Sequence, residues 1–180
     1  MKKYFLSLTT ILMVALTSVC FVSCGDDDDN GSSSGNSTSS GVVVNAKYGF
    51  YRMYGAREWE LMFSNYDIQS PDMMSKSLDI VAIELDTDTE YTEIPTGEFT
   101  RFSIVITKGM KGQKDPEAYY ESGSRKNATG KLTIKKNGGN YTVSYSGVSF
   151  YGDDSDKPTV EGASFSYTGS IVKYNNGNNQ

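Results

Sequence analysis

Gly130-Lys131-Leu132-Thr133-Ile134-Lys135-Lys136-Asn137-Gly138-Gly139-Asn140-Tyr141-Thr142-Val143-Ser144-Tyr145-Ser146-Gly147 is the stretch that decides the fold. Leu132 and Ile134 alternate with polar residues before Asn137, and Tyr141, Val143 and Tyr145 alternate again after Asn140. A period of two is that of a strand with one buried face. Between the runs, Asn137-Gly138-Gly139-Asn140 supplies residues that accept positive φ, as a tight hairpin turn requires. The stretch is therefore a hairpin. Gly147 then shifts the phase, because Val148 and Phe150 carry the pattern onward, and the shift predicts a β-bulge.

The same period runs through the chain from Val42 onward. Tyr48, Phe50 and Tyr54 fall on one strand face, and Gly55-Ala56-Arg57 is a turn. Trp59, Leu61 and Phe63 then point inward, with Glu58, Glu60, Met62 and Ser64 outward, the pattern of a half-buried antiparallel strand. Leu78 to Leu85 is apolar on both faces at its middle and reads as a central strand. Ile94-Pro95-Thr96-Gly97 is a turn, since proline fixes φ and glycine opens the geometry. Phe99 to Thr107 resumes as a strand, Ala118 to Glu121 is a short strand inside a long polar stretch, and Val160 to Tyr174 pairs back at the end. Roughly eight strands with short connections predict an all-β domain, an antiparallel meander. Closure into a lipocalin-like barrel hides its edges best and is favoured over a two-sheet β-sandwich.

Upstream of this domain the sequence has another character. Lys2 and Lys3 precede an apolar run too short and too interrupted by Ser and Thr to span a membrane, which is the pattern of an export signal. Phe21-Val22-Ser23-Cys24 resembles a bacterial lipobox, with Phe21 where leucine is usual. The resemblance implies a signal peptide over residues 1–23 and lipid attachment at Cys24. Cys20 would leave with the signal, so the folded domain would hold no cysteine for disulfides, thiol catalysis or thiolate metal sites. Several acyl chains, each methylene contributing about 0.8 kcal/mol, would hold such a protein on the membrane. Asp26, Asp27, Asp28 and Asp29 follow, and resemble the acidic signal that sends Bacteroides-type lipoproteins to the outer face of the outer membrane. Four adjacent carboxylates also keep a tether extended with no receptor involved. Asn30 to Gly41 is a flexible linker by composition. The organisation is thus signal peptide over 1–23, lipidated cysteine, acidic signal and linker over 24–41, and one β domain over 42–180.

Several motifs together point to a family. Trp59-Glu60-Leu61-Met62-Phe63, Ile80 to Leu85, Ile94-Pro95-Thr96-Gly97-Glu98-Phe99-Thr100, the 130–143 hairpin and Phe165-Ser166-Tyr167-Thr168-Gly169 resemble the short, functionally unassigned β-rich surface lipoproteins of Bacteroides-type bacteria. These motifs are turns and alternations, so the resemblance implies a fold and a location and brings no activity with it.

Composition narrows the chemistry. The 180 residues contain no histidine, which removes His-based triads and imidazole metal sites. Loss of residues 1–23 takes two of the 17 cations and none of the 22 carboxylates, leaving the chain more acidic than its overall net charge of −5. Nucleic acid is not an expected partner. Glu58 and Glu60 flank Trp59 on one strand face about 7 Å apart, a separation between those of retaining and inverting glycosidases. On an exposed strand face such a pair also simply solubilises. Asp153, Asp154 and Asp156 offer oxygen ligands to a cation or form a solvated turn, and without EF-hand spacing no metal is assigned. Tyr119 and Tyr120, among Lys108, Lys111, Lys114, Arg125 and Lys126, offer ring faces for stacking and cations for acidic groups.

The expected function is a surface-tethered binding module for a glycan or another small extracellular ligand, with Tyr119, Tyr120 and Trp59 as candidate contacts. No catalytic residue and no cofactor is assigned. The alternative is a structural or accessory subunit that meets another envelope protein, and a carboxylate-based hydrolase is a remote third.

Overall fold

The computed structural model describes residues 35–36, 44–112, 114–122, 129–151 and 158–175. Twelve strands run in chain order among them, with a single 3₁₀ turn at Met73–Ser75. Six form one sheet in the order β12 (Ile171–Lys173), β3 (Tyr48–Gly55), β4 (Glu58–Ser64), β5 (Leu78–Asp86), β7 (Phe102–Met110), β8 (Ala118–Glu121). Four form a second, in the order β11 (Val160–Gly169), β10 (Asn140–Phe150), β9 (Lys131–Asn137), β6 (Gly97–Phe99). A two-residue pair, β1 (Gly35–Asn36) with β2 (Asn45–Ala46), places a short bridge inside the stretch expected to be pure linker.

The deciding hairpin forms as its sequence predicts. β9 and β10 pair antiparallel from Asn137↔Asn140 to Lys131↔Ser146, around a two-residue turn in which Gly138 has φ 60. The bulge also forms: the β10–β11 register shifts between Tyr145 and Val148, and Gly147 between them has φ 71. Inward residues of both sheets meet in one core. Phe63 lies 4.8 Å from Tyr167 and 5.4 Å from Phe165, and Tyr145 stacks on Phe165 at 5.5 Å, so rings from β4, β10 and β11 interlock between the sheets. Burial pushes the Tyr145 phenol well above its ordinary value.

Two expectations are corrected. The chain does not form a closed lipocalin-like barrel; among the described residues it forms two open sheets packed as a sandwich. The sheets touch at one corner through the Glu121↔Tyr151 bridge, while β6, the only strand between β5 and β7 in the chain, leaves to pair with β9. That departure breaks the circuit a barrel needs. The chain is also not a pure antiparallel meander. The run from Val160 to Tyr174 breaks at Ser170, and its end crosses to the other sheet, where β12 pairs parallel with β3. The Tyr167 hydroxyl donates to the Ser170 carbonyl at 2.7 Å and pins the corner. Gly49 permits it, since a Cβ there would lie 3.0 Å from the Tyr167 ring and 3.1 Å from the Ser170 carbonyl.

Candidate functional site on the outer face of the six-stranded sheet

β4 is buried on both faces except at Glu58, so the half-buried strand expected from its alternation is not what forms. The reason is what lies over its outer face. Residues 65–77 turn back across the sheet, bringing Ile68 into a second cluster with Phe50, Met62 and Ala82. Asn65 ties this segment at its root, accepting from the Asp79 N–H at 3.0 Å and donating to the Ser77 carbonyl at 3.2 Å. The Tyr66 hydroxyl donates to Asp72 at 2.9 Å, and with Ser70 it holds the Asp72 carboxyl below its ordinary value. From the other side comes the chain after β12: the Tyr174 N–H donates to the Tyr51 carbonyl at 2.8 Å, and the Asn175 N–H to Gln69 Oε1 at 2.9 Å.

Between these covers lies an open groove with a cavity volume of about 70 Å³. Its floor is Met62, Ile80, Ala82 and Val105, cross-strand neighbours on β4, β5 and β7. Ile68, Met73 and Met110 form its sides, and Arg52 and Tyr174 its end. Since roughly 10–15 Å³ of such volume holds one water, the space suits a short alkyl group or an aliphatic side chain. Three methionines line it, and their unbranched thioethers adapt to irregular apolar shapes.

Beyond Arg52 the outer face becomes polar. Arg52, Glu60, Glu84 and Ser103 stand in register across β3, β4, β5 and β7. The Arg52 guanidinium lies 4.4 Å from the Tyr174 ring centroid and 3.6 Å from Glu60 Oε2, a distance too long for a direct hydrogen bond. Tyr54 bridges them, accepting from Arg52 Nη1 at 3.1 Å and donating to Glu60 Oε2 at 2.9 Å. Glu60 is 1% exposed, and its Oε1 has no hydrogen-bond partner among the described residues. Burial pushes its carboxyl above the ordinary value and Glu84 opposite adds to this, against the opposing pull of Tyr54 and Arg52. Burial alone would lower Arg52, but the Tyr54 hydrogen bond and the Glu60 charge together raise it. The Ser103 hydroxyl donates to Glu84 Oε2 at 3.2 Å.

The residues singled out in the sequence are dispersed. Trp59 lies in the inter-sheet core at 2% exposure, its ring 5.9 Å from Tyr51, so no ligand reaches its face. Tyr120 turns inward and packs against the same core. Tyr119 is exposed on the edge strand β8 opposite Thr107, on the face that carries the groove. Glu58 is exposed and Glu60 buried, so they do not form an accessible pair; the carboxylate directly across from Glu60 is Glu84. Cys24, Asp26 to Asp29, Asp153, Asp154, Asp156, Arg125 and Lys126 lie outside the described residues. Among those described, no group of three or more carboxylates is arranged to hold a metal ion. The groove itself was missed. Its one local signal was Arg52 on an otherwise aromatic strand face, between Phe50 and Tyr54.

No protein-family model, curated protein or solved structure matches this chain.

Proposed function

We propose that this chain is a lipoprotein of the outer-membrane surface, held by acyl chains on Cys24, whose sandwich domain binds a small extracellular ligand in the groove on the outer face of its six-stranded sheet. The observation that carries the binding role is the groove: an apolar cavity on a sheet face, walled by the 65–77 segment and Tyr174 and closed at one end by the half-buried Arg52 guanidinium. Ligand sites are commonly apolar concavities with a few fixed polar groups, and this one has that form. The supports for the anchor are the lipobox-like residues 21–24 and the aspartates after them.

Two experiments test the halves separately. Metabolic labelling with an alkyne fatty acid in a Bacteroides-type host is expected to mark the wild type and not Cys24→Ser, with protease removing the domain from intact cells. Labelling of the serine variant, or survival of the domain, refutes the anchor or its placement. Thermal unfolding of residues 25–180 against short apolar ligands, glycans and calcium is expected to show a shift with an apolar ligand, since about 100 times the dissociation constant stabilises by roughly 2.7 kcal/mol. The shift should vanish in Ala82→Leu, which fills the floor.

A second reading has its own support. Tyr48, Tyr54, Val172 and Met74 are each between 41% and 50% exposed around the groove, as the margin of a protein-docking surface would be. Under that reading no small ligand shifts the melting curve, and cross-linking in the outer membrane through Tyr48 or Val172 captures a single envelope protein.

A further inference from the structure

We propose that the ligand of this groove carries a short, unbranched alkyl chain, and that Tyr174 is the stop that sets how long that chain can be. The inference rests on the groove being a ligand site and adds what enters it and what limits it. The floor is a row in register across β4, β5 and β7, with Met62 opposite Ala82 and Ala82 opposite Val105. Its smallest side chain is in the middle, so the row dips along β5 between Met62 and Val105. Those two stand two strand spacings apart, about 9.5 Å, and their own side chains leave the width of one alkyl chain between them. A branch would meet one of the walls. A cavity of about 70 Å³ corresponds to roughly five to seven groups the size of a water or a methylene.

The groove ends at Arg52 and Tyr174. Tyr174 is held there from several sides. Its N–H donates to the Tyr51 carbonyl at 2.8 Å, Phe50 meets its ring edge-on at 6.3 Å, and the Arg52 guanidinium lies 4.4 Å from the ring centroid. The next residue is tied across the groove, the Asn175 N–H donating to Gln69 Oε1 at 2.9 Å, so the ring is fixed between β3 and the 65–77 segment. Arg52, the charged residue in the lining, already faces Tyr54 and Glu60 as well as this ring, which makes this end a wall and not a counter-ion for the ligand. The groove therefore reads the chain and leaves the ligand's head outside. Behind the ring the surface stays apolar: Phe50 stands opposite Val172, which is 48% exposed. Removing the ring would join that surface to the groove and lengthen it.

The test titrates straight-chain alcohols from ethanol to octanol into residues 25–180, a span that contains every described residue, with methyl-labelled methionine followed by NMR. The signals of Met62, Met73 and Met110 report the groove, and that of Met53, exposed on β3, is the control. Affinity is expected to rise about fourfold per added methylene and to level off near hexanol. In Tyr174→Ala the rise should continue to octanol, which then binds about tenfold tighter than to the unaltered protein, while butanol binds both alike. A branched isomer of hexanol should bind about tenfold more weakly than hexanol itself. Affinity that climbs through octanol in the unaltered protein, a branched isomer that binds as well as hexanol, or a plateau unmoved by Tyr174→Ala overturns the inference and leaves the groove standing as a ligand site. No movement of the groove methionines with any alcohol removes the groove reading and the inference with it. The series on the unaltered protein decides the length limit even if the variant fails to fold.

Discussion

Replacing Arg52 with leucine keeps an apolar stem against Tyr174 and removes the cation beside Glu60, a side chain that is 1% exposed. Removing one partner of a buried ion pair strands the other charge and costs about 3–5 kcal/mol. The geometry favours the lower end. The guanidinium and carboxylate are 3.6 Å apart, and Tyr54 still donates to Glu60 Oε2 at 2.9 Å after Arg52 is gone. A loss of about 3 kcal/mol is therefore expected at neutral pH. The dependence on pH gives the sharper test. Burial and the facing Glu84 already hold the Glu60 carboxyl above its ordinary value, so its contribution to stability is full below the unfolded pKa and is lost as pH rises through the folded one. Without Arg52 the folded pKa moves higher still, which deepens the loss at neutral pH and leaves acid pH little affected. Urea unfolding of the wild type, Arg52→Leu, Glu60→Gln and the double variant, at several pH values from 4 to 7, measures this directly. Glu60→Gln is expected to restore most of what Arg52→Leu removes, because a neutral amide needs no counter-ion. An Arg52→Leu deficit that is the same at every pH, or a double variant no more stable than Arg52→Leu, would refute the account.

Other outcomes follow from the packing. Trp59→Ala should cost about 3–5 kcal/mol in urea unfolding. Trp59→Phe should change stability by only about 1 kcal/mol, because the smaller ring also removes an indole N–H that is buried without a partner among the described residues; equal costs for the two would refute this account. Gly130 has φ 90, and a Cβ there would press on the Ser146 carbonyl and the Gly147 backbone, so Gly130→Ala should lose about 3 kcal/mol by thermal unfolding. Gly138, with φ 60 and open space around its Cβ position, should lose only about 1–2 kcal/mol on the same change, and a reversal of that order would contradict the hairpin geometry.

Whatever depended on neighbours along the chain could be read from the sequence. The 131–150 hairpin, its two-residue turn, the bulge at Gly147, the Ala56–Arg57 turn and the strand over Ala118–Glu121 all rest on residue period and on glycine φ, which act over a few positions. The inward set Trp59, Leu61 and Phe63 followed from the same period. Tertiary structure decided which elements cover which faces. Glu60, Met62 and Ser64 alternate as solvent-facing residues do, yet all three are buried because residues 65–77 and Tyr174 close over them. Pairing of β6 with β9, and the crossing of β12 to lie parallel with β3, turned the expected barrel into a sandwich. A strand of three residues carries too little pattern to specify its partner; the burial of neighbouring side chains does so. The groove belongs to the same class of fact. Met62, Ala82 and Val105 are 20 or more positions apart in sequence and become neighbours only through strand register, so no motif could announce the cavity they form.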